Sequence, residues 1–212
     1  MTTNLAVALA RAGRRVVIVD CDRQQSCLDW YRSRPADAAG VRVLPGGEGG
    51  AIASGWSLRV PPDTDVLLVD TPAGLRSVQL AEVLRRCDTL VVPVLPSAID
   101  LRATLGFFTE LNAIPELRQA RIRVGLVANR VRDRTIAARE LQARVPELKI
   151  PLVATIRDAQ AYVLAAALGK GVFDYATPQC REHQADWQPL IEWLAAAARA
   201  PDNVVPIHAS VA

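Results

Sequence analysis

The chain alternates between short runs of β-branched residues and longer stretches whose apolar residues recur every three or four positions. Leu5, Leu9 and Ala12 fall at helical spacing, and Gly13 suits the left-handed residue that follows a helix end. "RRVVIVD" follows at once, a continuous Val/Ile run of the kind buried on both faces of a parallel sheet. The same shape returns as "DVLLVD" (65–70), "TLVVPVL" (89–95), "IRVGLVANR" (122–130) and "PLVAT" (151–155), and "VRVL" (41–44) reads as a short extra strand. Helical spacing covers 24–34, 76–87, 99–113, 134–145, 158–169 and 184–199. Strand and helix alternate, so the expected class is α/β: a three-layer, mostly parallel sheet flanked by helices. Residues 45–64 read as an irregular connection and "PGGEGG" within it as a flexible turn. Residues 1–200 read as one domain, and 201–212 as a tail with two prolines.

Composition narrows the class. A chain of 212 residues, 50% hydrophobic and 22% charged, can bury a full globular core. No apolar run reaches the roughly 18 residues that span a bilayer. "NLAVALARAGRR" lacks the small-residue cleavage site of a signal peptide, so the expectation is a cytoplasmic protein without a membrane partner. Cys21, Cys27, Cys87 and Cys180 show no CxxC spacing, which favours reduced, mostly buried thiols over zinc or a disulfide framework. A net charge of +3 permits weak attraction to nucleic acid without requiring it.

The polar residues that interrupt this pattern sit where a ligand would. In open α/β sheets, ligands bind beyond the carboxyl ends of the strands. One strand here ends in Asp20 and Asp22, a second in Asp70 followed by "TPAG", and a later one in Asn129 and Arg130. Carboxylates at strand ends suit Mg2+, which prefers oxygen ligands and keeps several waters. One such Asp alone reads as a helix cap; three polar strand ends together favour a site. A phosphate-binding loop of the form G-x-x-x-x-G-K-[ST] occurs nowhere in the 212 residues.

These segments, in this order, resemble the ParA/MinD family of deviant P-loop ATPases, which also gathers the CobQ/CobB-like proteins. "NLAVALARAGRRVVIVDCDRQQSCLDW" is similar to the family's first helix and second strand. "VLLVDTPAG" is similar to its switch strand, "CDTLVVPVLPSAIDL" to its AD-x-V-x-VPV-x-PS-x-x-DL segment, and "VANRV" and "ATIRDAQAYVLAAALGKGVFDY" to its late segments. The resemblance implies a P-loop NTPase-like fold whose first strand and phosphate loop are missing, because Met1-Thr2-Thr3-Asn4 takes up the register just after that loop. A start codon placed too late, or a lineage that lost the loop, would each give this beginning. An in-frame K-G-G-x-G-K-[ST] in the upstream nucleotide sequence would distinguish them. The missing strand is central in the family, so "NVVPIHASVA" or a partner chain is expected to fill its place.

The resemblance also implies roles. ATP and Mg2+ are the family's ligands in its intact form, and these 212 residues alone are expected to bind neither tightly. Asp22 would orient the attacking water, Asp20 would support the magnesium site, and Asp70 would hold a magnesium-bound water. Asn129, with Arg130, matches the position that reads the adenine edge. Arg157 and Lys170 flank a late helix in the region where relatives touch DNA. Arg118, Arg121 and Arg123 before one strand, and Arg130, Arg132 and Arg134 after it, add positive charge. Relatives dimerise on ATP, bind DNA non-specifically and are stimulated by a ParB-like partner. The implied function is a partition or positioning ATPase for plasmid, chromosome or protein cargo, with weak or no hydrolysis by these 212 residues alone. The family's D-x-D-P-Q reads here as Asp20-Cys21-Asp22-Arg23-Gln24, without the proline that would stiffen the turn. Two other readings stand beside it. One is a non-catalytic module that dimerises with or regulates a partner. The other is a CobQ/CobB-type amidoligase, which the absence of a paired Cys and His near His183 or His208 disfavours.

Overall fold

A computed structural model of the chain describes residues 1–46, 60–75, 77–113 and 122–197. Its elements run α1 (Thr2–Arg11), β1 (Val16–Asp20), α2 (Ser26–Arg32), β2 (Val41–Pro45), β3 (Val66–Asp70), α3 (Ser77–Leu84), β4 (Thr89–Val94), α4 (Ala98–Ala113), β5 (Arg123–Val131), α5 (Ile136–Arg144), β6 (Leu152–Arg157), α6 (Gln160–Ala167), α7 (Pro178–Ala185) and α8 (Gln188–Ala197). All the strand pairs are parallel and helices flank the sheets, the α/β class expected from the alternation. The chain divides into two compact units: Met1–Leu75 with Ala159–Gln184, and Arg76–Asp158 with Ala185–Ala212.

The first unit is built on β1. Its Val/Ile run is buried along its whole length, as a strand covered on both faces must be. β2 and β3 pair with its two edges, which sets Val16 against Val41 and Val66, and Asp20 against Pro45 and Asp70. Ala6 and Val7 of α1 and Cys27 and Trp30 of α2 close over Val16, Ile18, Val41 and Val43 in one apolar cluster. β3 is less covered. Among the described residues it pairs only with β1, and Leu67 is 39% exposed.

Residues 169–174 are tied back onto the helices of this unit. Trp30 Nε1 donates to the Lys170 carbonyl (3.1 Å), and Asn4 Oδ1 accepts from the Val172 N–H (2.9 Å). A buried ion pair, Arg34 Nη1 to Asp174 Oδ2 at 3.0 Å, fixes the same segment. Arg34 also donates to the carbonyls of Gly169 and Ala39, so the guanidinium has partners on several sides. Gly169 has φ +63°, and a Cβ there would lie 2.3 Å from the Arg34 nitrogen, so both conformation and contact require glycine.

The second unit holds a sheet ordered β4-β5-β6, with β5 in the middle. Leu126, Val127 and Ala128 of β5 are buried, as are Ile156 of β6 and Trp187 and Leu190 at the start of α8. Register shifts between Ala128 and Val131 make a bulge at the carboxyl end of β5, where Arg130 takes φ +56°.

One element differs from the sequence pattern. The helix expected over 184–199 is α8, and a helix that the pattern did not predict, α7, precedes it across Asp186–Trp187. Pro178 is the first residue of α7 and Pro189 the second of α8, positions where the missing N–H costs no helical hydrogen bond. α7 carries no buried residue, so it leaves no apolar stripe by which a sequence pattern could find it. Most of the 45–64 connection, Arg118, Arg121 and the tail with "NVVPIHASVA" lie outside the described residues.

Candidate functional site

The acidic strand ends of the first unit meet at one rim. Parallel pairing places Asp20 directly opposite Asp70, and the turn after β1 brings Asp22 to the same edge. The amino end of α1 is there too: Thr2, its first residue, donates its hydroxyl to Asp70 Oδ1 at 2.6 Å.

The two opposed carboxylates have different surroundings. Asp20 is 2% exposed. Its Oδ1 accepts the Asp22 N–H (3.1 Å), and its Oδ2 accepts the N–H groups of Cys27 (2.9 Å) and Leu28 (3.1 Å). Those amides belong to the first turn of α2, which lacks intrahelical acceptors. Asp20 therefore ties the start of α2 to the end of β1. Asp70 accepts instead from two side chains, Thr2 on Oδ1 and the Cys27 thiol on Oδ2 at 3.2 Å.

An ionised carboxylate offers about four lone-pair sites. Backbone amides take three at Asp20, while the named donors take two at Asp70. Among the described residues, Asp70 thus keeps room for a water or metal ion. Asp22 is partly exposed; its Oδ1 accepts the Gln24 N–H (3.0 Å), which shapes the turn that leads through left-handed Gln25 into α2. Burial, with Asp20 and Asp70 adding to it, pushes the Cys21 thiol up to about 11. Burial and the Asp70 charge push Cys27 up as well, so both thiols stay protonated.

This donor set fits magnesium better than a metal caged by protein. Among the described residues no group of three or more His, Cys, Asp and Glu side chains could hold an ion. Mg2+ needs no such cage, since it keeps most of its waters and uses one or two carboxylates. The residues present include no glycine- and lysine-bearing phosphate loop, so they fit the metal end of a magnesium nucleotide and not its phosphate cradle.

The remaining candidates belong to other elements. Asn129 and Arg130 sit in the bulge at the end of β5. Among the described residues the Asn129 amide makes no side-chain hydrogen bond, which leaves donor and acceptor available. Arg130 and Arg132 both bond Asp158 through Nε, at 3.2 and 2.9 Å, and those hydrogen bonds, Arg132 first, lower the Asp158 pKa. Arg157, at the end of β6, forks onto Asp186 with Nε to Oδ2 at 2.7 Å and Nη2 to Oδ1 at 2.8 Å. Lys170 lies in the first unit, its ammonium 5.3 Å from the Tyr175 ring centroid. Sequence reasoning missed Thr2 and Cys27. Each meets Asp70 only through the fold, 68 and 43 residues away, with no local spacing to reveal it.

Comparison with known proteins identifies relatives of this chain. Residues 1–172 match the CobQ/CobB/MinD/ParA nucleotide binding domain family. The chain is 33% identical over 193 residues to the maintenance of carboxysome distribution protein A of Gloeobacter kilaueensis, covering 90% of this chain and 85% of that protein. To the protein of the same name in Halothiobacillus neapolitanus it is 28% identical over 177 residues, covering 82% and 79%. Among solved structures, the septum site-determining protein MinD of Pyrococcus horikoshii, complexed with Mg-ADP, superposes with a TM-score of 0.62 at 18% identity, covering 96% of this chain and 92% of that one. With its acidic rim in place and the match running through both compact units, the chain belongs to the CobQ/CobB/MinD/ParA nucleotide-binding family.

Proposed function

We propose that the protein is a ParA-like positioning ATPase acting on a protein or nucleic-acid cargo, and that residues 1–200 work as one domain. The observation that carries the reading is the convergence of Asp20, Asp22 and Asp70 on one rim beside the amino end of α1. The naming of two curated relatives for carboxysome distribution favours a protein cargo over a plasmid or chromosome. The family match across both units supports the single domain.

In this reading Asp70 would hold a magnesium-bound water, Asp20 would support the magnesium site by fixing the turn beside it, and Asp22 would orient the water that attacks the terminal phosphate. Bound magnesium would neutralise charge that develops on the phosphates. Asn129, with Arg130, reads the adenine edge. Non-specific DNA contact falls to Arg157 and Lys170, and a homodimer and a ParB-like stimulating partner complete the cycle in the cytoplasm. Among the described residues, no helix is long and apolar enough to cross a membrane.

Positioning and electrostatic stabilisation supply most of phosphoryl-transfer catalysis, and the cradle that provides them is not among these 212 residues. The 212 residues alone are therefore expected to hydrolyse ATP weakly or not at all. A steady-state assay with Asp22→Ala as control checks this: turnover at family-typical levels by the unmodified chain, abolished by Asp22→Ala, would refute the expectation. The non-catalytic module stays open as the second reading, favoured by the same missing cradle.

A further inference from the structure

We propose that Cys27 is a positioning residue for the metal end of this rim, its thiol fixing the carboxylate of Asp70 while its backbone N–H fixes that of Asp20. The inference rests on the reading of Asp70 as the holder of a magnesium-bound water. Cys27 is the second residue of α2 and is 4% exposed, so the helix and the core around it leave the side chain little freedom. From that one position the thiol reaches Asp70 Oδ2 at 3.2 Å and the amide reaches Asp20 Oδ2 at 2.9 Å. The two carboxylates close neighbouring strands in register, so one residue sets the orientation of both.

The arrangement selects which oxygens face outward. With Thr2 on Oδ1 and Cys27 on Oδ2, Asp70 is held from both sides, and its free lone pairs have fixed directions. Groups that orient a ligating side chain typically change metal affinity by ten- to a hundredfold when removed; Asp70 acts through a metal-bound water, so the lower end of that range is expected here. A neutral thiol suits the role. It donates a hydrogen bond without adding a charge beside two carboxylates, and it fills apolar volume against Trp30 and Ile18 in the same cluster.

Packing and hydrogen bonding can be separated at this position. Cys27→Val keeps the apolar volume and loses the donor, whereas Cys27→Ser keeps a donor. The measurement is Mn2+ binding to the folded chain, followed by loss of the free-ion electron paramagnetic resonance signal, in the wild type, C27V, C27S and D70N. The wild type is expected to bind, D70N to lose that binding, C27V to bind about tenfold more weakly and C27S to bind within about twofold of wild type. In the wild-type chain, an S–H stretching band shifted to lower frequency is expected, and it should vanish in C27V. C27V binding Mn2+ as the wild type does while D70N does not, C27S failing alongside C27V, or the absence of the shifted band would each overturn the inference and leave the magnesium reading intact. Binding that survives D70N, or no binding by the wild type, would overturn the magnesium reading and the inference with it.

Discussion

Asp20 and Asp70 occupy matching positions on neighbouring strands, yet one bonds backbone amides and the other bonds side chains. That difference is a residue-scale fact. A strand-ending Asp is visible in sequence, and both were named from it. Whether its oxygens face a helix's first turn or a ligand depends on what the fold brings near. Arg34 makes the same point for stability. Sequence alone offers no reason to single it out, but the fold buries it, with Asp174, to within a few per cent of full coverage. Removing one partner of a buried pair leaves the other charge uncompensated, at about 3–5 kcal/mol. Arg11 Nη2 remains 3.5 Å from Asp174 Oδ1, so Arg34→Met is expected to lower unfolding stability by about 3 kcal/mol, the lower end of that range. Adding Asp174→Asn should recover part of the loss, and urea denaturation of the single and double variants checks both.

At the scale of elements, the apolar runs were legible because a parallel strand covered on both faces must be apolar throughout, and β1 is. The helix over 178–185 was not legible, because "PQCREHQA" buries nothing and is held by polar contacts: Thr177 caps the Cys180 N–H, and Gln184 Nε2 donates to the carbonyls of Val172 and Tyr175. The start of β3 shows a further tertiary device. The Arg15 backbone N–H and guanidinium both donate to Asp65, while the Arg15 carbonyl accepts from the N–H groups of Asp65 and Val66. The Arg15 side chain, then its backbone N–H, hold the Asp65 carboxyl down at about 2. A carboxylate depressed in the folded state stabilises above its unfolded pKa of about 3.9 and loses that contribution as pH falls through its folded value. The stability gap between wild type and Asp65→Asn should thus be full at neutral pH and shrink between about pH 4 and pH 2. Thermal unfolding across that range gives the answer, and a gap unchanged at pH 2 would contradict it.

At the scale of the whole molecule, parallel sheets flanked by helices agree with family membership, and surface charge bears on the proposed partner. Arg157 is neutralised by Asp186, and Lys170 rests against Tyr175, so neither is a bare cation. If both contact phosphate, Arg157→Ala and Lys170→Ala should each lower the slope of log affinity against log salt by about 0.9. Mobility-shift titrations of duplex DNA at several salt concentrations read this, and no retardation by micromolar wild-type chain at low salt would remove DNA from the partners. The central claim is narrower: the polar strand ends of the first unit form the metal-nucleotide end of a ParA-type site. Its most direct test is a nuclear magnetic resonance titration of backbone amides with Mg-ADP, which detects weak binding. The account expects shifts concentrated at Thr2, Asp20 to Gln25 and Asp70, and abolished by Asp70→Asn. Shifts confined to other residues, or none at millimolar nucleotide, would contradict it.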